Sequence, residues 1–238
     1  MGRIGADVAS SPMTRVVAHR GASALHQPGN TIDAFLAAAA LGADWVELDV
    51  HALADGSLAV HHDPTLPDGR PLHELQVADL PDWVPLLDAA IDACGAMGVN
   101  VEIKGDGPLE LRPGLIADTV TLLGARAEPS RFLVTSFDWQ IIEEVALVAP
   151  GLPTGLLTMT DPLADDLLGR VAGAGHVAIN PWVPMVRPEL VDSAHALGLA
   201  VNVWTVDDPD LMAELVAMGV DAIITNVPDR CRRVLSGG

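Results

Sequence analysis

Hydrophobic and polar positions along this chain alternate between two periods. Short, β-branched apolar runs of strand length recur at 16–19, 45–50, 99–104, 132–135, 154–157, 176–180, 200–205 and 221–225. Between them lie Ala- and Leu-rich stretches with helical spacing at 31–41, 84–97, 115–125, 139–148, 162–172, 188–196 and 209–218, and a short one at 228–235 closes the chain. Asn30-Thr31, Asp161-Pro162, Arg187-Pro188 and Asp208-Pro209 read as helix starts, because a capping side chain or a first-turn proline suits the unpaired N–H groups of a helix end. Gly42, Gly98, Gly124, Gly198 and Gly219 read as helix stops. Eight strand-helix units in 238 residues predict an α/β fold, a single (β/α)8 barrel.

One segment departs from this repeat. Asp55-Gly56 is a hairpin signal, and the strand-like run 57–62 follows it, so a small hairpin elaboration is expected in the loop after strand 2. That loop lies over the C-terminal mouth of the barrel, where this architecture builds its sites. No low-complexity linker divides the chain. Residues 15–238 are expected to form one domain, preceded by a flexible N-terminal extension at 1–14.

Side-chain alternation then sorts the polar residues at the strand ends. Trp45, Glu47 and Asp49 share one face of their strand, and Val46, Leu48 and Val50 share the other. With the apolar set under the helices, Glu47 and Asp49 point into the barrel. The next strand repeats the pattern, with Asn100, Glu102 and Lys104 opposite Val99, Val101 and Ile103. A salt-bridged interior with Lys104 as partner is one reading. Three inward acids on neighbouring strands favour the other, one divalent cation, since unpaired buried carboxylates are costly. Oxygen-only ligation by Glu47, Asp49 and Glu102 points to Mg2+ or Ca2+ rather than zinc.

His19 ends the first strand, and Gly21 after it permits a tight turn. Alternation along 58–62 places His62 on the face of Leu58 and Val60 and His61 on the other, so His62 is the functional candidate and His61 is expected in solvent. Two facing imidazoles suit general acid and base chemistry near neutrality. Arg20 and Lys104 are candidates to neutralise phosphate oxygens, Arg as a fork and Lys as a point charge.

Composition narrows the classes of partner. Thirteen Lys and Arg against 32 Asp and Glu give a formal charge of −19, which opposes nonspecific binding to nucleic acid or to an anionic membrane. There is no tyrosine, and few aromatics in all, so a base-stacking surface is not expected. The apolar stretch 34–45 carries Asp44 and is too short and Ala-rich to cross a bilayer, and no secretory leader is evident at 1–14. A soluble, cytoplasmic protein with no membrane insertion is the expectation. Cys94 and Cys231 match no zinc spacing or disulfide framework and read as buried apolar side chains.

The segments Val16-Val17-Ala18-His19-Arg20-Gly21-Ala22, Pro28-Gly29-Asn30-Thr31, Glu47-Leu48-Asp49-Val50, Asp55-Gly56 and Val60-His61-His62-Asp63 together resemble the glycerophosphodiester phosphodiesterase family. Glu102-Ile103-Lys104, Ser136-Phe137, Val201-Asn202-Val203-Trp204-Thr205 and the run 219–225 extend the resemblance over nearly the whole chain from Val16. It implies a TIM barrel that hydrolyses glycerophosphodiesters to sn-glycerol 3-phosphate and an alcohol with one divalent cation. His19 and His62 fall on the acid/base pair, Glu47, Asp49 and Glu102 on the metal ligands, and Arg20 and Lys104 on phosphate-contacting positions. The implied mechanism is attack by the substrate's own glycerol hydroxyl to form a cyclic phosphate, which water opens. Trp204, beside Asn202, would pack on the glycerol moiety or fill the barrel core, and Phe137, Asn180 and Trp182 would line the leaving-group pocket or pack.

Three positions depart from the family pattern. Gly29 stands where the family usually has Glu, Pro67-Asp68-Gly69-Arg70 replaces an Arg-Thr-Thr, and Asn226 stands where an Asp is common. Two further readings stay open, a lysophospholipid-directed phosphodiesterase and a catalytically weak phosphodiester-binding barrel.

Overall fold

The computed structural model describes residues 13–126 and 128–237. Its order is β1 (Arg15–His19), α1 (Ile32–Ala40), β2 (Trp45–Ala52), β3 (Leu58–Val60), α2 (Leu87–Ala93), β4 (Gly98–Ile103), α3 (Arg112–Gly124), β5 (Phe132–Ser136), α4 (Trp139–Val148), β6 (Thr154–Thr158), α5 (Leu167–Gly173), β7 (Ala178–Pro181), α6 (Pro188–Ala196), β8 (Ala200–Val203), α7 (Pro209–Met218), β9 (Ala222–Thr225) and α8 (Pro228–Leu235). All strands except β3 run parallel, and the sheet closes because β1 pairs with both β2 and β9. The result is the eight-stranded barrel that the alternation predicts. The extension expected at 1–14 falls almost wholly outside the described residues. Among those described, no helix is long and apolar enough to cross a membrane.

The core is the sleeve between strands and helices. Val16, Val46, Leu48, Val50, Val101 and Ile103 from the outward faces of three strands join Phe35, Ile91, Ile116 and Ile141 from the helices in one buried cluster. Transfer of such side chains from water stabilises by roughly 1.5–3 kcal/mol each. This burial fixes the strand faces, and the opposite face of β2 is left with Glu47, Asp49 and His51 pointing inward. Cys94 and Cys231 are buried free thiols, and burial pushes both up to about 12.

Three expectations are corrected. The helix expected at 84–97 begins only at Leu87, because Val60 N–H donates to Pro85 O and Leu86 bridges Ala59, which holds 84–86 extended against β3. The helix expected at 162–172 begins at Leu167, after Asp165 and Asp166 take left-handed backbone conformations. Gly98 is not a helix stop but the first residue of β4, and the Trp45 ring lies over its Cα, where a Cβ would come within 2.2 Å of the indole. The hairpin after β2 is present, and the segment beyond it closes a second small core of Leu53, Ala59, Leu66, Leu72, Leu75 and Val84.

Gly98→Ala is expected to cost about 1–3 kcal/mol through overpacking against Trp45. Gly107→Ala, with no atom within 4 Å of the added Cβ, is expected to stay within about 0.5 kcal/mol. Urea midpoints at unchanged slope measure both, and equal midpoints for the two variants would contradict this packing.

Candidate active site

Register brings the acids together. β2 and β4 pair so that Asp49 is level with Glu102, and β1 pairs with β2 so that His19 is level with Glu47. All three carboxylates are buried, and one oxygen of each lies within 4.8 Å of the others. Lys104 Nζ reaches Glu102 Oε1 at 2.9 Å and Asp49 Oδ1 at 3.0 Å. Arg20 Nε lies 3.3 Å from Asp49 Oδ2, which also accepts from Asn30 Nδ2 at 2.7 Å. Glu47 Oε2 accepts from the Arg20 backbone N–H at 3.1 Å.

These partners divide the charge unequally. Burial pushes the Asp49 carboxyl up, but the Lys104 ammonium and the Arg20 guanidinium more than offset it and hold the group below the usual range. Burial, with the neighbouring Asp49 and Glu102, pushes Glu47 well above the carboxylate range. Burial and then Asp49 push Glu102 up to about 7, against the pull of Lys104. Two of the three acids therefore hold protons readily, the electrostatic mark of a negative site short of positive charge. An all-oxygen donor set of this kind fits a hard divalent cation.

Two imidazoles lie at the edge of this cluster. His19 has Nδ1 at 2.7 Å from Asn226 Oδ1 and Nε2 at 3.8 Å from Glu47 Oε2. Burial, then the Arg20 charge, lower it to about 4, so the ring is neutral at pH 7. His62 is half-exposed, with Nδ1 at 2.7 Å from Asp63 Oδ1, and partial burial lowers it as well. His61 is not in solvent. Its ring is buried against Trp83, with Nδ1 at 2.8 Å from Asp63 O. Alternation assigned its side correctly, but the second small core covers that side.

The cluster opens into a pocket of about 210 Å3 with two unlike walls. His19, Arg20, Glu47, His62, Glu102 and Lys104 form the polar wall, and Phe137, Leu157, Met159, Trp204 and Ile224 form the apolar one. Trp204 meets Phe137 edge-to-face at 5.4 Å between ring centroids and donates from Nε1 to Asn180 O at 2.8 Å. Asn180 is fully buried in the barrel and Trp182 lies outside this pocket, so of the three leaving-group candidates only Phe137 lines it.

Sequence reasoning missed two contributors. His51 continues the inward face of β2 by the same two-residue step as Glu47 and Asp49, and its Nε2 lies 3.2 Å from His62 O. Asn30, held in a left-handed turn, braces Asp49. A side chain at Gly29 has no room, since its φ is +81° and a Cβ would meet Arg20 Cβ at 2.9 Å. Gly29 thus packs directly against Arg20, whose Nε faces Asp49.

Comparison with known proteins comes to the same place. Residues 19–230 match the family model described as the glycerophosphoryl diester phosphodiesterase family. The chain is 31% identical over 236 residues to a glycerophosphodiester phosphodiesterase of Caldanaerobacter subterraneus subsp. tengcongensis, covering 91% of this chain and 95% of that one. It superposes on a glycerophosphodiester phosphodiesterase from Parabacteroides distasonis with a TM-score of 0.85 and 25% identity, covering 96% of this chain and 99% of the other. A phosphodiesterase of Oleispira antarctica in complex with the product sn-glycerol-3-phosphate shares the fold, with a TM-score of 0.84, 24% identity, and coverage of 94% and 97%.

Lys104→Met removes the ammonium between Asp49 and Glu102, leaving buried charge uncompensated, and is expected to cost about 3 kcal/mol at pH 8. The loss should shrink at pH 5.5, where Glu102 takes up a proton. Denaturant melts at the two pH values measure it, and a loss independent of pH would contradict this division of charge.

Proposed function

This chain belongs to the glycerophosphoryl diester phosphodiesterase family, and we propose that it hydrolyses glycerophosphodiesters to sn-glycerol 3-phosphate and an alcohol. The observation that carries this reading is the pocket itself, in which two imidazoles and two cations converge beside three buried acids. The Oleispira protein's complex with sn-glycerol-3-phosphate supports the product side of the proposal.

Glu47, Asp49 and Glu102 are the residues proposed to hold one divalent cation, Mg2+ or Ca2+. When bound, such an ion supplies Lewis-acid stabilisation of charge on phosphoryl oxygens. The remaining work falls to the chain. In this reading Arg20 and Lys104 contact the phosphate and Trp204 packs on the glycerol carbons, and all three line the pocket. No protein nucleophile is required if a glycerol hydroxyl attacks phosphorus. In that step His19 takes the hydroxyl proton at Nε2, the phosphorus–oxygen bond to the leaving alcohol breaks, and His62 gives that oxygen a proton. Asp63 beside His62 and its partial exposure make it the readier of the two to carry a proton. Water then opens the cyclic phosphate with the roles reversed.

The apolar wall favours a second substrate class. Phe137 and Met159 are each about half exposed at the mouth, which suits the acyl chain carried on the glycerol of a lysophospholipid. A coupled assay for glycerol 3-phosphate over glycerophospho-alcohols, run beside an assay for acylglycerol 3-phosphate over lysophospholipids, separates the two.

His19→Ala and His62→Ala are each expected to lower kcat by about 100-fold or more in that assay. Near-native turnover in either variant would remove it from the acid/base pair, and absence of turnover in the intact chain would leave the weak-binder reading. The cation makes its own prediction. Protons on Glu47 and Glu102 compete with it, so its affinity falls as pH falls through about 7. The rise in Tm caused by added Mg2+ or Ca2+ is expected to be larger at pH 8 than at pH 5.5 and to be largely lost in Glu102→Gln. A rise that is equal at both pH values, or intact in Glu102→Gln, would count against ligation by these acids.

A further inference from the structure

We propose that Asp207 sets the tautomer of His19 by acting through Asn226, so that the ring carries its proton on Nδ1 and keeps Nε2 free. Asp207 follows β8, Asn226 follows β9, and neither belongs to the polar wall of the pocket. Asp207 Oδ1 accepts from the Asn226 backbone N–H at 2.8 Å and from Thr225 Oγ1 at 2.9 Å. Its Oδ2 faces the Asn226 side-chain amide at 2.7 Å.

A carboxylate can only accept. Asn226 must therefore turn its NH2 to Asp207 and its Oδ1 the other way, to His19. That oxygen accepts from Ser23 Oγ at 2.8 Å and has no proton to give, so His19 Nδ1, 2.7 Å away, must be the donor. The lone pair is left on Nε2, the ring nitrogen on the Glu47 side. This relay needs Asn at 226. An aspartate there would set two acceptors against each other at the Asp207 contact, and no orientation would pass along.

Asp207 is thus a positioning residue, and its catalytic consequence rests on the reading of His19 as a base at Nε2. Asp207→Asn tests it with a single change of atom type. The oxygen that serves the Asn226 N–H and Thr225 Oγ1 has to remain an acceptor, so the new NH2 falls opposite the Asn226 amide. Asn226 then flips and donates to His19 Nδ1, and the ring proton moves to Nε2.

The measurement is the long-range 1H–15N spectrum of histidine side chains in the full, cation-free chain at pH 7.5, with the His19 signals identified by their loss in His19→Gln. The intact protein is expected to show protonated Nδ1, and Asp207→Asn protonated Nε2, while Ser23→Ala keeps the native tautomer. In the loaded enzyme, Asp207→Asn is expected to lower kcat by about 100-fold with KM within about twofold. An Nε2-protonated ring in the intact chain overturns the proposal without any variant, as does an unchanged tautomer in Asp207→Asn. Inversion with kcat unchanged leaves the orienting role of Asp207 standing and overturns the assignment of His19 in the reaction.

Discussion

The site depends on one ladder register, the pairing of β2 with β4 that sets Asp49 level with Glu102. The hydrophobic sleeve specifies that register, because a slip of one residue would turn Val46, Leu48 and Val50 into the barrel and the acids under the helices. Burial of apolar surface thus drives carboxylates into a place they would not enter alone. Lys104 offsets part of that cost from the same strand-end position, and Arg20 reaches in from the end of β1. The first turn is shaped for that reach. Gly21 closes against Ala34, and Arg20 and Asn30 take left-handed conformations that aim both side chains at Asp49.

Much of this was legible because period-two alternation says which way a strand residue faces once one face is known to be apolar. The inward set Glu47, Asp49, Glu102 and the barrel around it follow from that rule. His62 follows as well, since it shares the register of β3. The rule stops at what lies beyond the strand. Alternation put His61 opposite His62, but nothing local signals that residues 66–84 return to cover that face with Leu66, Leu72, Trp83 and Val84. The same limit hid the start of α2, because residues 84–86, read as its first turn, are held extended by a tertiary bond to β3. Asn30 and Asn226 could be seen only as positions in a motif, because their work is hydrogen bonding across 19 and 207 residues of sequence.

The two walls of the pocket reflect where along the chain each kind of residue lies. The charged side chains come from β1, β2, the turn after β3 and the end of β4, and the apolar ones from β5 onward. A closed barrel brings these two halves face to face across its axis. A phosphodiester is itself divided in this way, with its charge at phosphorus and carbon on either side. In the proposed reading the polar wall would take the phosphate and the apolar wall would take carbon beside it.

Charge balance ties the site to the rest of the molecule. The chain carries a net −19, which repels an anionic substrate at long range. Locally, three carboxylates face two cations and are one positive charge short, and Glu47 and Glu102 are the acids pushed toward the protonated form. With every acid ionised the cluster alone would carry one net negative charge, and the proposed divalent cation would turn that into one net positive charge. The proposed site would then attract a phosphodiester where the rest of the surface repels it. Were that ion held by Glu47, Asp49 and Glu102 in place of protons, Arg20 and Lys104 would no longer be the sole counter-charges of these acids. In this reading Arg20 and Lys104 do not choose between pairing with acids and contacting phosphate. Their ion pairs with Asp49 and Glu102 hold them at the depth where phosphate oxygens would arrive.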